Sequence, residues 1–339
     1  MPARTFETRR VGQTDLEVTT LGLGAASLAG IFTGVSAEQA RATVSHALDM
    51  GISYVDTAPQ YGLGRSEHLV GDALRERRDG VVLSSKVGRR LIPVDASKQD
   101  KGNWVNPLPF NQRYDYSYDG VMRSYEDSQQ RLGIKQIDIL YVHDIGAGTH
   151  GVEGNKPLWQ QLVDGGYRAL RELRDGGAVG AIGLGVNEWQ VLMDAFAIGD
   201  WDVFLLAGRY TLLEQTSLHP FMSTCVERGA SVVVGGPFNS GILVGGDKFN
   251  YEKAPDAIVA KVRAIEAVCR EFGVPLPAAA LQFPLTHPAV CNVLPGPRSP
   301  QELDGILEWW DVKIPAELWT TLAQKGLLAP GTPIPGGVA

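Results

Sequence analysis

Ile137-Asp138-Ile139-Leu140-Tyr141-Val142-His143 is the stretch whose reading decides the fold. Its apolar and β-branched residues run nearly consecutively instead of alternating. Such a strand is covered on both faces, as strands of parallel sheets are. It ends on a histidine, and a Gly-rich segment follows. Seven further runs of this kind lie outward from it, at 18–23, 52–56, 81–86, 181–184, 203–207, 231–234 and 290–294. The runs at 52–56 and 81–86 end on Asp56 and Lys86. The C-terminal end of a buried strand is where barrel enzymes carry their chemistry.

Stretches with helical spacing lie between the runs, at 37–50, 65–75, 120–132, 158–174, 189–197 and 255–272. Ala40, Val44, Ala47 and Leu48 share one face of the first. Gly51, Gly133 and Gly273 stand where helix-terminating glycines stand. Eight strand-like units alternating with helices favour a (β/α)8 TIM barrel over an open doubly wound sheet. No shift in composition marks a boundary, so residues 1–339 read as one domain, with 328–339 a loosely held Pro/Gly-rich tail. Three long connections follow strands: from Val87 to about Tyr118, from Asp144 to Pro157, and from Gly235 to Ala254. Loops of that length usually bind or cover ligands. The first carries Trp104, Phe110, Tyr114 and Tyr116, of which Trp104 and Phe110 are candidates to pack on a small ring-shaped substrate, next to Asp144.

The chain of 339 residues suits a one-domain barrel, and 44% apolar with 20% charged residues is ordinary for a globular protein. A formal charge of −7 argues against nucleic acid or an anionic membrane as a partner. The N-terminal residues lack the apolar stretch of a signal peptide, and no run reaches the length of a membrane span. Cys225, Cys269 and Cys291 fit neither a disulfide framework nor a zinc site, so they read as buried thiols in a reducing cytoplasm. No metal is expected. A homo-oligomer is compatible with the sequence, which does not give the oligomeric state.

Asp56, Tyr61, Lys86 and His143 combine into one chemistry. Hydride arriving at a carbonyl carbon puts charge on its oxygen, and a proton donor must meet it. A free tyrosine is a poor base at neutral pH, and a nearby ammonium favours its phenolate. Lys86 is expected to supply that charge, with Asp56 holding the lysine ionised and His143 orienting the substrate oxygen. Singly each has a plainer reading: a turn cap, a packing residue, a core histidine. A lysine ending an apolar strand is the hardest of the four to explain structurally, because burying its charge without a partner is unfavourable.

With these residues in view, the chain resembles the aldo-keto reductase superfamily. Its Asp-Tyr-Lys-His tetrad matches Asp56, Tyr61, Lys86 and His143 in type, order and approximate spacing, and the likeness runs from Leu21-Gly22-Leu23-Gly24 to Arg298. The resemblance implies a barrel binding NAD or NADP in extended form without a Rossmann fold, with Tyr61 as the general acid/base. Gly22-Leu23-Gly24-Ala25-Ala26-Ser27 accordingly is not a dinucleotide fingerprint; it lacks the third glycine and the helix that must follow. By resemblance, Asn187 in Val186-Asn187 holds the nicotinamide amide, although the family's preceding serine is here Val186. Ala207 replaces a family glutamine, and Tyr210 is placed to stack on nicotinamide. Pro237, Asn239, Ser240 and Gly241 resemble the loop over the pyrophosphate. Pro295, Gly296 and Arg298 resemble the adenosine-phosphate segment. Ser299 replaces a second basic residue, which inclines the expectation to NAD.

Within the superfamily, the segment 205–214 and Tyr141-Val142-His143-Asp144 are most similar to bacterial D-threo-aldose (L-fucose/L-galactose) 1-dehydrogenases, a subgroup that includes pyridoxal 4-dehydrogenase. Both imply oxidation of a cyclic hemiacetal to a lactone. The alternatives are a general aldehyde or ketone reductase, a Schiff-base lyase with Lys86 as nucleophile, and a nucleotide-binding subunit that catalyses little.

Overall fold

Burying a continuous apolar strand on both faces requires side chains inside and outside the sheet, and the chain provides both. The computed structural model describes residues 3–339. Eight strands form one parallel sheet in chain order: β1 (Leu23–Gly24), β2 (Tyr54–Asp56), β3 (Val82–Val87), β4 (Ile139–His143), β5 (Ala181–Val186), β6 (Val203–Ala207), β7 (Ser231–Gly235) and β8 (Val290–Leu294). The sheet closes where Leu21 bridges Val293. There the Gly22 amide donates to Val293 O at 2.9 Å and the Gly24 amide to Pro295 O at 2.9 Å. The (β/α)8 barrel expected from the sequence is the observed fold.

Two apolar clusters divide along the pleat. Tyr54, Ile139, Tyr141, Val203, Val233 and Cys291 pack together inside the barrel, with Val11 and Val18 of an N-terminal segment among them. The opposite faces of the strands meet the surrounding helices in the larger cluster. The predicted first strand, 18–23, is split. Glu17–Thr19 pairs antiparallel with Thr8–Arg10, and only Leu23–Gly24 belongs to the barrel sheet. Gly22 marks the crossing: a Cβ there would lie 2.8 Å from the Asn292 amide, so only glycine passes this close to β8.

The helices follow the sequence with additions. The one expected over 158–174 starts earlier, as Val152–Gln161, and continues through a wide turn, Leu162–Gly166, into Tyr167–Asp175. Helices Leu276–Gln282, Pro300–Trp310 and Ala316–Gln324 were not anticipated. The second of these had a signal in Ser299-Pro300-Gln301-Glu302, a capping sequence with Pro in the first turn. The Ser299 hydroxyl accepts from the Glu302 amide at 3.1 Å. The connection after β3 is not structureless: Arg89–Pro93 pairs with Phe110–Tyr114 as a hairpin. The segment expected to be loose has Leu328 and Thr332 buried and a short hairpin pairing Pro333–Ile334 with Gly337–Val338.

The barrel wall is tightest at Gly183, where an added Cβ would sit 1.6 Å from Val203 O on β6. Gly183→Ala is expected to destabilise the fold by about 3 kcal/mol or more, because backbone must move to admit the methyl. Urea unfolding checks this; an unchanged midpoint would show that β5 and β6 are not held this close.

Candidate active site

Strand register brings the polar residues to one rim. Asp56 on β2 lies opposite Ser84 on β3, and Lys86 on β3 lies opposite Tyr141 on β4. Successive residues of a strand face opposite ways. Ser84 and Lys86 therefore turn inward, each donating to Asp56, while Ser85 turns outward and donates to the buried Glu67 at 2.6 Å. Tyr61 sits in the turn after β2, where its amide donates to Ala58 O at 3.1 Å.

Lys86 and Asp56 are each only 1% exposed. The Lys86 ammonium donates to Asp56 Oδ1 at 2.8 Å, to Oδ2 at 2.7 Å and to Thr57 O at 2.8 Å. An ammonium has three N–H donors and a neutral amine two, so these contacts fit the ionised pair. Burial pushes Lys86 down and Asp56 up, and each charge opposes the shift of the other. Lys86 Nζ is 4.7 Å from the centroid of the Tyr61 ring. The Tyr61 ring meets His143 edge-on at 5.9 Å and Trp104 at 5.9 Å.

The expected lowering of the Tyr61 pKa by Lys86 does not hold in the free protein. Burial pushes the phenol well above its ordinary range, the Asp56 and Asp144 carboxylates add to this, and Arg89 opposes it. Lys86 is already neutralised by Asp56. His143 is driven well below its usual pKa by burial and by the Arg89 and Lys86 charges, so its imidazole is neutral.

Tyr61, Lys86, Trp104, His143, Asp144 and Asn187 line a single cavity of about 360 Å³. Its wall near Asn187 includes Val186, Leu205 and Ala207. Apolar side chains beside a carboxamide are the residue types that a nicotinamide ring and its amide require. Beyond it, Asn239, Ser240 and Gly241 all have left-handed backbone, with φ of 46°, 59° and 101°. The Asn239 amide donates to Gly236 O and the Gly241 amide to Phe238 O, so these two donors already serve the loop itself. Pro237 is buried beside them. Pro295 and Gly296 follow β8, and Arg298 follows them with its guanidinium on Glu302 at 2.7 Å.

Pro237, Asn239, Ser240, Gly241, Pro295, Gly296 and Arg298 lie outside the cavity lining, and so do Tyr210, expected on the nicotinamide, and Phe110, expected at the substrate. Tyr210 is fully buried, its ring stacked 5.5 Å from Phe283 and edge-on to His287 at 5.3 Å. Gly208, at φ 71°, turns the chain so that Arg209 reaches Asn187 O at 2.8 Å and Tyr210 enters the core. Tyr251 lines the cavity instead. Phe110 pairs with Pro93 at the far end of the hairpin, whereas Tyr114 pairs with Arg89 next to the barrel. Four residues of strand put Phe110 about 13 Å further out, and Gln112, between them, lines the cavity.

Sequence reasoning missed Arg89, Gln112, Tyr251 and Glu302. Arg89 had a signal, a second cation three residues past Lys86 across Gly88. Among the described residues, no group of His, Cys, Asp and Glu side chains is set to hold a metal ion, and no helix is long and apolar enough to cross a membrane.

Residues 20–326 match the family model described as the aldo/keto reductase family. The chain belongs to this family. Aldo-keto reductases are NAD(P)-dependent oxidoreductases, and this chain is such an enzyme. It is 47% identical over 344 residues to a pyridoxal 4-dehydrogenase of Microbacterium luteolum, covering 97% of this chain and 100% of the relative. It is 36% identical over 323 residues to a D-threo-aldose 1-dehydrogenase of a Pseudomonas species, covering 92% and 95%. The subgroup named from the sequence is therefore the one found. Among solved structures, an aldo-keto reductase from Bacillus halodurans superposes with a TM-score of 0.74 at 22% identity, covering 96% of this chain and 97% of that one. That likeness speaks for the fold.

The direction of the His143 shift gives a test in the free protein. Its imidazole signals, assigned by comparison with His143→Gln, are expected to stay those of the neutral ring from pH 6 to 9. Titration near 6.5, the ordinary value for a histidine, would show that burial does not govern this group.

Proposed function

We propose that the enzyme oxidises a cyclic hemiacetal to a lactone, with NAD+ as the hydride acceptor. The observation that carries this is that Tyr61, Lys86 and His143 line one cavity, with the buried Asp56 paired to Lys86 behind it. Val186, Asn187, Leu205 and Ala207 would hold the nicotinamide end. Pro237, Asn239, Ser240 and Gly241 would lie along the pyrophosphate, and Pro295, Gly296 and Arg298 at the adenosine phosphate. When bound, the nicotinamide supplies the hydride acceptor, and every other role belongs to protein side chains. His143, neutral, donates a hydrogen bond to the reacting oxygen and fixes its position. Tyr61 takes the hydroxyl proton in oxidation and returns it in reduction. Asp56 holds Lys86 charged beside the Tyr61 ring.

The high pKa of Tyr61 sets the direction of the pH dependence. Oxidation needs the phenolate, whose fraction rises with pH; reduction needs the phenol, which persists through neutral pH. Log kcat/KM for oxidation is expected to climb with a slope near one through the alkaline range, while reduction stays flat until Tyr61 ionises. Tyr61→Phe should lower turnover by about 10²- to 10⁴-fold, the usual worth of a positioned acid or base, with dinucleotide Kd little changed by fluorescence titration. Full activity in that variant would remove Tyr61 from the mechanism.

NAD over NADP is supported by Glu302. Its carboxylate accepts from the Arg298 amide at 2.8 Å and from Arg298 Nε at 2.9 Å. Although burial raises its pKa, the Arg298 hydrogen bonds and charge hold the carboxyl below its usual range. A 2′-phosphate would meet a cation already neutralised and a second negative charge. Glu302→Gln is expected to raise kcat/KM for NADP relative to NAD by about tenfold, the worth of roughly 1.4 kcal/mol. An unchanged ratio would place the preference elsewhere.

For the substrate, the aldose reading takes L-fucose, L-galactose and related D-threo-aldoses. The greater identity to the Microbacterium relative supports a second reading, oxidation of pyridoxal at its 4-position. A panel of aldoses, pyridoxal and simple aldehydes with NAD and NADP separates them. The Schiff-base alternative is disfavoured because all three N–H groups of Lys86 serve Asp56 and Thr57; borohydride trapping of a substrate on Lys86 would revive it.

A further inference from the structure

Next to the reacting groups lies a second charged pair, Arg89 and Asp144, that the tetrad chemistry does not use. Asp144 directly follows His143 and has φ of 47°. Left-handed backbone at a residue other than glycine is unfavourable unless its surroundings hold it, and it recurs at functional sites. Here it returns the carboxylate to the cavity, 3.5 Å from His143 Nε2. Asp144 Oδ1 is 3.4 Å from Asn187 Nδ2, and Oδ2 accepts from Arg89. The Arg89 side chain is 4% exposed and that of Asp144 13%. The other arm of Arg89 donates to Gln112 Oε1 at 2.7 Å. Asp144 and Gln112 both line the cavity.

One buried guanidinium thus ties down two cavity groups and fixes what each presents. The amide oxygen of Gln112 faces Arg89, so its N–H2 is the group turned to a ligand. A carboxylate has about four acceptor sites, and Arg89 and Asn187 leave some of those on Asp144 free. A donor and an acceptor side by side match a hydroxyl, which both donates and accepts.

We infer that Asp144 and Gln112, held by Arg89, recognise a hydroxyl adjacent to the reacting carbon, so that the enzyme selects α-hydroxy carbonyls and their cyclic hemiacetals over simple aldehydes. This rests on the hemiacetal reading above. His143 meets the reacting oxygen, and the Asp144 carboxylate beside it meets the oxygen on the next carbon. An aldose carries such a hydroxyl; in pyridoxal the phenolic oxygen stands one atom further away. Simple aldehydes leave a desolvated carboxylate without its donor.

The test compares an aldose with its 2-deoxy counterpart. In the wild type kcat/KM is expected to favour the aldose by at least about 100-fold. Asp144→Asn should lower that ratio by about 10- to 100-fold, the worth of a hydrogen bond to a charged group. Asparagine tolerates left-handed backbone, so the main chain is retained. Its oxygen will turn to Arg89, so that an N–H2 donor replaces the free carboxylate oxygen beside Gln112. The double variant Arg89→Gln, Asp144→Asn removes both buried charges and should show the same loss of ratio. Equal falls for both sugars would reduce Asp144 to positioning His143, and an unchanged ratio would likewise overturn the inference. Calorimetric titration with the corresponding lactone and 2-deoxylactone reads the preference without turnover. Preserved preference without oxidation would sink the reaction and keep the recognition; oxidation without preference would do the reverse.

Discussion

A lysine charge inside a barrel survives only if every N–H finds an acceptor, and the end of β2 supplies all three for Lys86. Two come from Asp56 and one from Thr57 O. Removing either Asp56 or Lys86 would leave the other as a bare buried charge, at a cost of roughly 3–5 kcal/mol. The arrangement depends on register. A shift of one residue between β2 and β3 would turn Lys86 outward, toward the helices. Ser84 and Ser85 reinforce the register from opposite faces, one on Asp56 and the other on Glu67, which Arg131 also contacts at 2.6 Å. The tetrad and the barrel wall are therefore fixed by the same bonds.

That constraint shapes the electrostatics of the cavity. With Lys86 committed to Asp56, it does little for the Tyr61 phenol in the free protein, and burial dominates. The neighbouring Arg89–Asp144 pair repeats the solution one strand away, buried charge held by buried charge. Between them His143 is neutral, which suits a hydrogen-bond donor to a developing oxyanion. Two buried ion pairs thus flank the cavity on either side of His143.

Much of this was legible in the sequence. Continuous apolar strands, eight of them, specify a closed parallel sheet, and strand-end residues must then share a rim. Asp56, Lys86 and His143 were readable for that reason, and Tyr61 through its place in the turn. Trp104 and Asn187 also reach the cavity. Phe110 and Tyr210 do not, because spacing along the chain gives no direction once a loop turns. A hairpin register carried Phe110 outward, and Gly208 turned Tyr210 into the core. Ser299, which stands in place of a second basic residue, also caps a helix through its hydroxyl.

The sequence by itself determined the barrel and the family and nominated the four site residues, since each reading depends on periodicity and on residue types at strand ends. Only the tertiary structure decided which charges neutralise which. Pairings such as Arg89 with Asp144, or Lys86 with both oxygens of Asp56, join residues 55 and 30 positions apart. Their strength depends on distance and burial, which sequence spacing does not encode. For the same reason the proton affinity of Tyr61, which rests on the solvent excluded around it, emerged from the folded cavity and not from the lysine beside it in the motif.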